Sequence, residues 1–212
     1  MPAPLLLLFE IVGTVAFAIS GAMTGMKKNM DIFGVSILGL TTAVGGGALR
    51  DIVLGNTPPV MFRDPMYSVI AIVTAIVLFL PAVQRLILRI HGLYDTLMLL
   101  MDSVGLGIFT VVGIQTAYAA VADPGWLLLL FVGVITGVGG GVLRDVMAGD
   151  MPYIFVKHFY ACASLAGALL CILLWEPLGQ TVAMSAGAAA VVALRLLAVK
   201  YRWSLPKAHC YM

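Results

Sequence analysis

The residues able to do chemistry here are charges set inside apolar sequence, and four of them form two matched pairs. Arg50-Asp51 closes the run Gly45-Gly46-Gly47-Ala48-Leu49-Arg50-Asp51, and Arg144-Asp145 closes Gly139-Gly140-Gly141-Val142-Leu143-Arg144-Asp145. Aligning Thr41–Pro58 with Ile135–Pro152 needs no gap, and roughly ten of about eighteen positions are identical, which is an internal repeat. Gly55 and Gly149, then Pro58 and Pro152, extend the match. Charges at membrane depth are costly and line a bundle interior or a water path. Three successive glycines make a poor helix, so each triplet predicts a break in the backbone. Unwound backbone survives in a bilayer only where protein buries it or where it lines a wet cavity. Two broken spans in corresponding positions point to a transport site.

The chemistry this predicts is reception of an ion. Carbonyls freed at Gly45–Gly47 and Gly139–Gly141 can replace part of a cation's water shell. Thr42 and Thr136, just before the triplets, add hydroxyls, although threonine also commonly bonds its own helix. Glu10 and Asp102 are carboxylates near the starts of long apolar stretches, where they either line a path or reach the membrane surface. Adjacent helical residues point about 100° apart, so pairing across the repeat is expected: Arg50 with Asp145 and Arg144 with Asp51. The alternative is that both pairs sit in interfacial loops and anchor their spans. Spacings such as Gly21-xxx-Gly25 and Gly133-xxx-Gly137 read instead as close helix packing.

Other chemistries lack support. Cys162, Cys171 and Cys210 have no CxxC or His-paired spacing and read as packing residues. His91, His158 and His209 fall in loops or the tail, so no metal site is expected beyond a cation held transiently at the glycine motifs. No phosphate-loop, dinucleotide or hydrolase motif occurs, so neither an enzyme nor a cofactor is expected. A formal net charge of +2 gives no basic footprint for nucleic acid.

The elements that must position these residues are membrane helices. Hydrophobic residues make up 62% of the chain and charged ones 10%, too few for a soluble surface. The expected fold is an all-α integral membrane protein with seven transmembrane helices. They fall at about 5–26, 32–49, 66–83, 94–119, 126–143, 159–175 and 178–199, each roughly long enough to span. The N-terminal MPAPLLLLFE lacks a basic signal-peptide region and reads as the start of a permanent span. Each repeat holds three spans, residues 5–83 and 94–175, so the second enters from the opposite side and the two are inverted. A seventh helix at 178–199 and a cytoplasmic tail at 200–212 remain. Glu10, Gly13, Phe17 and Gly21 match Asp102, Gly105, Phe109 and Gly113 on one helical face, expected to turn inward. Lys and Arg in short loops put the N-terminus outside and the C-terminus inside, with Trp126 and Trp175 at the outer interface and Trp203 at the inner one.

A doubled GGG-x-L-R-D element in a chain of seven apolar spans resembles the prokaryotic relatives of the trimeric intracellular cation (TRIC) channels, a bacterial family also labelled as small glycine transporters. The resemblance covers roughly residues 5–199. It implies a homotrimer in the bacterial inner membrane, in contact with lipid. Each subunit has its own pore, with spans two and five kinked at the glycine motifs and K⁺ or Na⁺ as permeant ions. The lipid-binding role of the animal channels is not expected, since Arg50 and Arg144 are each followed by an acid. The function expected is a monovalent cation channel. A carrier for glycine or another small zwitterion uses inverted repeats equally well, and an assembly-only membrane protein leaves the doubled charged motif without a role.

Overall fold

Each long apolar stretch is a helix, and their ends alternate between two faces of the molecule. In the computed structural model, residues 3–89, 93–156 and 159–203 are described. His91, Lys157, His158, His209, Cys210 and the tail beyond residue 203 lie outside the described residues. The helices are α1 (Ala3–Lys27), α2 (Ile32–Val53), α3 (Val60–Arg63), α4 (Met66–Phe79), α5 (Pro81–Leu88), α6 (Leu93–Ala120), α7 (Trp126–Met147), α8 (Tyr153–Val156) and α9 (Tyr160–Lys200). Five are long and apolar enough to cross a membrane, and the bent pair α4–α5 makes a sixth when counted as one span. One face of the molecule, the Glu10 end, collects the start of α1 and the close of α2. The other, the Asp102 end, collects the close of α7 and the start of α6. Large apolar side chains such as Phe33, Phe131 and Leu173 point outward, as lipid contact requires.

The sequence places two boundaries differently. The third stretch turns by 73° between Phe79 and Pro81, because Pro81 cannot continue the ladder and instead starts α5. The link expected at Glu176-Pro177 is helical. The break comes at Gly179, whose φ of 77° suits only glycine. Around it α9 folds back on itself: a Cβ on Gly167 would lie 2.2 Å from Val191, and one on Gly187 would lie 2.9 Å from the Gly167 carbonyl. The two arms are antiparallel and packed through small residues.

The glycine triplets correct the sequence reading more sharply. α2 and α7 run helically through Gly45–Gly47 and Gly139–Gly141 without a break, so the triplet carbonyls stay in the helical ladder. What the glycines permit is approach. A Cβ on Gly46 would lie 2.1 Å from the Thr136 carbonyl oxygen, and one on Gly140 would lie 2.1 Å from the Thr42 carbonyl oxygen. Helix propensity disfavours a triplet by only about 1 kcal/mol per residue, whereas backbone contact in lipid recruits dispersion that no larger residue allows.

The contacts around this crossing are reciprocal. Gly13 meets Phe109 as Gly105 meets Phe17; Gly21 meets Thr42 as Gly113 meets Thr136; Gly45 meets Leu143 as Gly139 meets Leu49. The Phe17 and Phe109 rings lie 5.3 Å apart beside it. α6 also packs along the α9 hairpin, completing the larger apolar core.

The distinct roles within a triplet are testable. Gly46→Ala or Gly140→Ala pushes a methyl into backbone and should lower stability by about 1–3 kcal/mol or more. Gly47 has only the Arg50 guanidinium near its Cβ site, at 3.7 Å. Gly47→Ala should therefore hold or raise the melting temperature in detergent. Equal melting temperatures for all three variants would show that the crossing does not need its glycines.

Candidate functional site

Both Arg-Asp pairs are held by one local device. After each pair the helix ends on a left-handed glycine, Gly55 at φ 72° and Gly149 at φ 71°. The next N–H returns to the aspartate carbonyl, Asn56 to Asp51 at 2.8 Å and Asp150 to Asp145 at 2.9 Å, closing a Schellman turn. The reversal carries the chain back over the carboxylate, whose Oδ2 accepts the first free N–H of the following short helix. That donor is Val60 for Asp51 and Tyr153 for Asp145, both at 2.8 Å. The one-residue difference has a cause: Pro59 aligns with Tyr153 and has no N–H to give. The motif's Gly and Pro thus shape a turn that fixes the acid.

With Oδ2 occupied, each aspartate offers Oδ1 to its neighbouring arginine. Arg50 donates Nε to Asp51 Oδ1 at 2.8 Å, and its Nη2 lies at the same distance as an ion-pair contact. Arg144 likewise donates Nε to Asp145 Oδ1 at 2.8 Å, with Nη2 at the same distance as an ion-pair contact only. The expected pairing across the repeat, Arg50 with Asp145 and Arg144 with Asp51, is therefore not formed. The Cβ directions do diverge, but an arginine fork is long enough to swing back onto the next residue.

At the Asp102 end the pair sits in a wider network. Arg144 is fully buried and donates Nη1 to Asp102 Oδ1 at 2.7 Å and to the Ser20 hydroxyl. The Tyr160 hydroxyl lies 3.5 Å from the same Asp102 oxygen. Arg195, buried in the second arm of α9, places Nη2 3.6 Å from Asp102 Oδ2 and stacks over the Tyr160 ring at 4.7 Å. Arg144 stacks over Tyr153 at 4.8 Å. Two arginines and two acids thus balance with almost no exposed surface, the condition under which buried charge is tolerable. Asp102 and Arg195 also line a cavity of about 440 Å³ together with Lys27, Asp95, Thr96 and Tyr153.

The Glu10 end is built from the matching residues but looser. Tyr67 donates its hydroxyl to Glu10 Oε2 at 2.5 Å. Among the described residues Arg50 has its ion pair with Asp51 and none with Glu10. Glu10, Thr14, Gly47, Arg50, Tyr67 and Phe109 line a cavity of about 60 Å³, room for a few waters. Phe109 and Asp102 both lie on α6, seven residues or about 10 Å apart, so roughly two helical turns of packed side chains separate the cavities.

Of the sequence-derived candidates, Glu10, Asp102 and both Arg-Asp pairs thus gather at the two ends. Thr42 and Thr136 do not line either cavity; each bonds the carbonyl four residues back at 2.6 Å and packs at a glycine contact. Gly45, Gly46, Gly139 and Gly140 form the crossing, Gly47 borders the Glu10-end cavity, and Gly141 sits under the Tyr160 hydroxyl. Ser20, Tyr67, Tyr153, Tyr160 and Arg195 escaped the sequence reading. Arg195 carried a signal, a lone cation deep in an apolar span.

The buried network makes a measurable demand. Asp102→Ala leaves two buried arginines with one acid between them and should cost about 3–5 kcal/mol, much of it regained in the Arg144→Met/Asp102→Leu double variant. Lys28 also pairs with Asp150, but both side chains are more than a third exposed. Its loss should cost no more than about 1 kcal/mol. Unfolding midpoints in detergent would check the contrast; similar costs for both pairs would contradict it.

Comparison with known proteins agrees with this architecture. A family model described as "Glycine transporter" matches residues 7–82 and 99–176. The UPF0126 inner membrane protein YadS of Escherichia coli K12 is 36% identical over 200 residues, 93% of each chain. A UPF0126 membrane protein of Deinococcus radiodurans is 37% identical over 199 residues, 93% of this chain and 89% of that one. A structure solved to explain conductance through TRIC cation channels is 33% identical and superposes with a TM-score of 0.84, covering 97% of this chain and 98% of that one. The TRIC orthologue of Rhodobacter sphaeroides is 31% identical, with a TM-score of 0.84 over 93% and 98% of the two chains. This all-helical membrane protein belongs to the prokaryotic TRIC family, whose sequence model carries the glycine transporter description.

Proposed function

We propose that the protein is a monovalent cation channel, K⁺ being the expected ion, with one conducting path inside each subunit of a homotrimer. The observation that carries this reading is the pair of charged cavities, one at the Glu10 end lined from α1, α2, α3, α4 and α6, the other at the Asp102 end lined from α1, α6, α8 and α9. Solved relatives described as TRIC cation channels support the activity, and the trimeric state described for the Rhodobacter sphaeroides orthologue supports the assembly. Two inverted three-helix repeats and a seventh helix are the architecture we infer, with both arms of α9 counted as spans. The reciprocal glycine contacts and the twin Schellman turns support it. Among the described residues the Asp102 end carries Lys27, Lys28, Arg85, Arg89, Arg144, Arg195, Lys200 and Arg202, against Arg50 and Arg63 at the other. That imbalance supports an inner-membrane protein with its N-terminus outside and C-terminus inside.

A cation enters at the acid of either cavity and must pass the packed layer between them. Carbonyl ligation at the glycine triplets is not part of this path, because those carbonyls stay in the helices. Side-chain oxygens of Glu10 and Asp102 and water receive the ion instead, while Arg50 and Arg144, already paired with Asp51 and Asp145, set a positive charge beside each acid. In the arrangement described, Arg144 is sealed onto Asp102 and the path is shut.

The family description favours one second reading, a carrier of glycine or a similar zwitterion. Planar-bilayer recording of purified protein under a K⁺ gradient separates the two. Discrete steps reversing near the K⁺ potential, with a higher open fraction for Arg144→Met, are expected for the channel. Silent bilayers together with labelled glycine uptake by liposomes of the same preparation would establish the carrier instead.

A further inference from the structure

The third apolar stretch does not run straight across the bilayer. It turns by 73° at Pro81, so α5 leaves the direction of α4. Gln84 donates its amide to the Phe79 carbonyl at 2.8 Å, which holds the turn from within the short helix. α5 is amphipathic. Ile87 enters the smaller apolar core, against which Val83 and Tyr94 also pack, whereas Arg85, Leu86 and Arg89 are exposed. A helix lying in a membrane interface has this pattern, with apolar side chains toward the acyl chains and cations toward the headgroups. Lys27 closes α1 at the same level and shares a cavity wall with Val199, beside the end of α9. Exposed Tyr201 and Trp203 follow there, as aromatic residues do at a membrane surface.

Between α1, α5 and α6 this level holds a cavity of about 420 Å³, lined by Met26, Lys27, Gln84, Ile87, Tyr94 and Asp95. Sites for small ligands run to roughly 300–1,000 Å³. The Tyr94 hydroxyl donates to the Met23 carbonyl, so its ring is a fixed wall. The lining carries one cation and one carboxylate. Lys27 and Asp95 are both exposed, and among the described residues no ion pair joins them.

We propose that this cavity seats a phospholipid of the Asp102-end leaflet whose headgroup carries a primary ammonium beside its phosphate, the chemistry of phosphatidylethanolamine. Lys27 receives the phosphate, Asp95 receives the ammonium, and Met26 and Ile87 meet the start of an acyl chain. A singly anionic headgroup such as phosphatidylglycerol offers nothing to Asp95, and Arg85 and Arg89, which would attract it, stand outside the lining. A choline headgroup has no N–H to donate. Its recognition calls on a cage of aromatic faces, and the lining supplies the Tyr94 ring alone. Such a seat is independent of whether the core conducts or carries. Lys27 and Asp95 also wall the Asp102-end cavity, so a seated headgroup stands at its border.

Native mass spectrometry of the whole protein in detergent reads this directly, with phosphatidylethanolamine, phosphatidylglycerol and phosphatidylcholine of identical acyl chains. Phosphatidylethanolamine should bind about fivefold or more tightly than either of the others. Asp95→Asn should abolish its advantage over phosphatidylcholine, and Lys27→Gln should weaken both. Because those two residues border both cavities, Met26→Trp, which fills this one only, should lower phosphatidylethanolamine binding by a similar factor. An unchanged melting temperature in lipid-free detergent checks that this variant folds, and Asp95→Asn, a change at an exposed residue, decides the matter where it does not. Tighter binding of phosphatidylglycerol, lost in Arg85→Gln/Arg89→Gln, would mean a charged surface without a seat. Equal binding of all three lipids would mean ordinary solvation by the bilayer. A preference kept in Asp95→Asn or in folded Met26→Trp would put the site elsewhere. Each of these three results overturns the proposal.

Discussion

Everything in this molecule depends on two helices touching backbone to backbone. In lipid there is no hydrophobic gain from bringing one apolar helix against another, so association needs close dispersion contact and shared polar groups. Gly46 against the Thr136 carbonyl and Gly140 against the Thr42 carbonyl supply the first at the smallest separation a helix pair allows. Because the contact is made near the C-terminal part of each helix, it projects the following Arg-Asp pairs to opposite ends. The same glycines that bring α2 and α7 together therefore separate the charges. Had the charged pairs met at the crossing, two arginines would have faced each other without water.

Each end then solves the burial of charge differently. Asp145 and Asp51 are fixed by a turn and a helix N-terminus, so their arginines always have a partner. The variable member is the third group, the acid on the neighbouring helix. Asp102 lies within reach of both Arg144 and Arg195, and all three are almost fully buried. Glu10 is satisfied by a neutral hydroxyl and borders a cavity. A buried pair contributes little net stability over an apolar one, yet breaking it is costly. Such a network suits a part that must hold one of two settings more than a part that must merely be stable.

Much of this was legible in the sequence because lipid imposes strong patterns. Hydropathy marked every long helix, and the doubled GGG-x-L-R-D element marked the two helices, α2 and α7, that cross at their glycines. The face from Glu10 to Gly21 did turn inward, with Phe17 meeting Phe109. The triplets were misread because propensity measured in water weighs glycine as a breaker. In a bilayer the backbone has no other hydrogen-bond partner, so it remains helical and glycine acts through its missing side chain. The arginine pairing was misread because Cβ directions describe short side chains, and a guanidinium can fold back over its own turn. Gly179, not Pro177, ends the first arm of α9 because a proline near a helix end removes one hydrogen bond, whereas a positive φ redirects the whole chain.

The second arm of α9, beyond Gly179, is where the likeness between the two ends breaks. Its Arg195 is the one cation of the network outside the repeated motif, and it joins the acid of one end only. Matched surroundings would treat the two acids alike. A single buried charge from outside the repeated motif makes the two ends differ electrostatically while the Gly46–Gly140 crossing stays reciprocal, so Asp102 has two arginines within reach where Glu10 has a tyrosine and a small cavity.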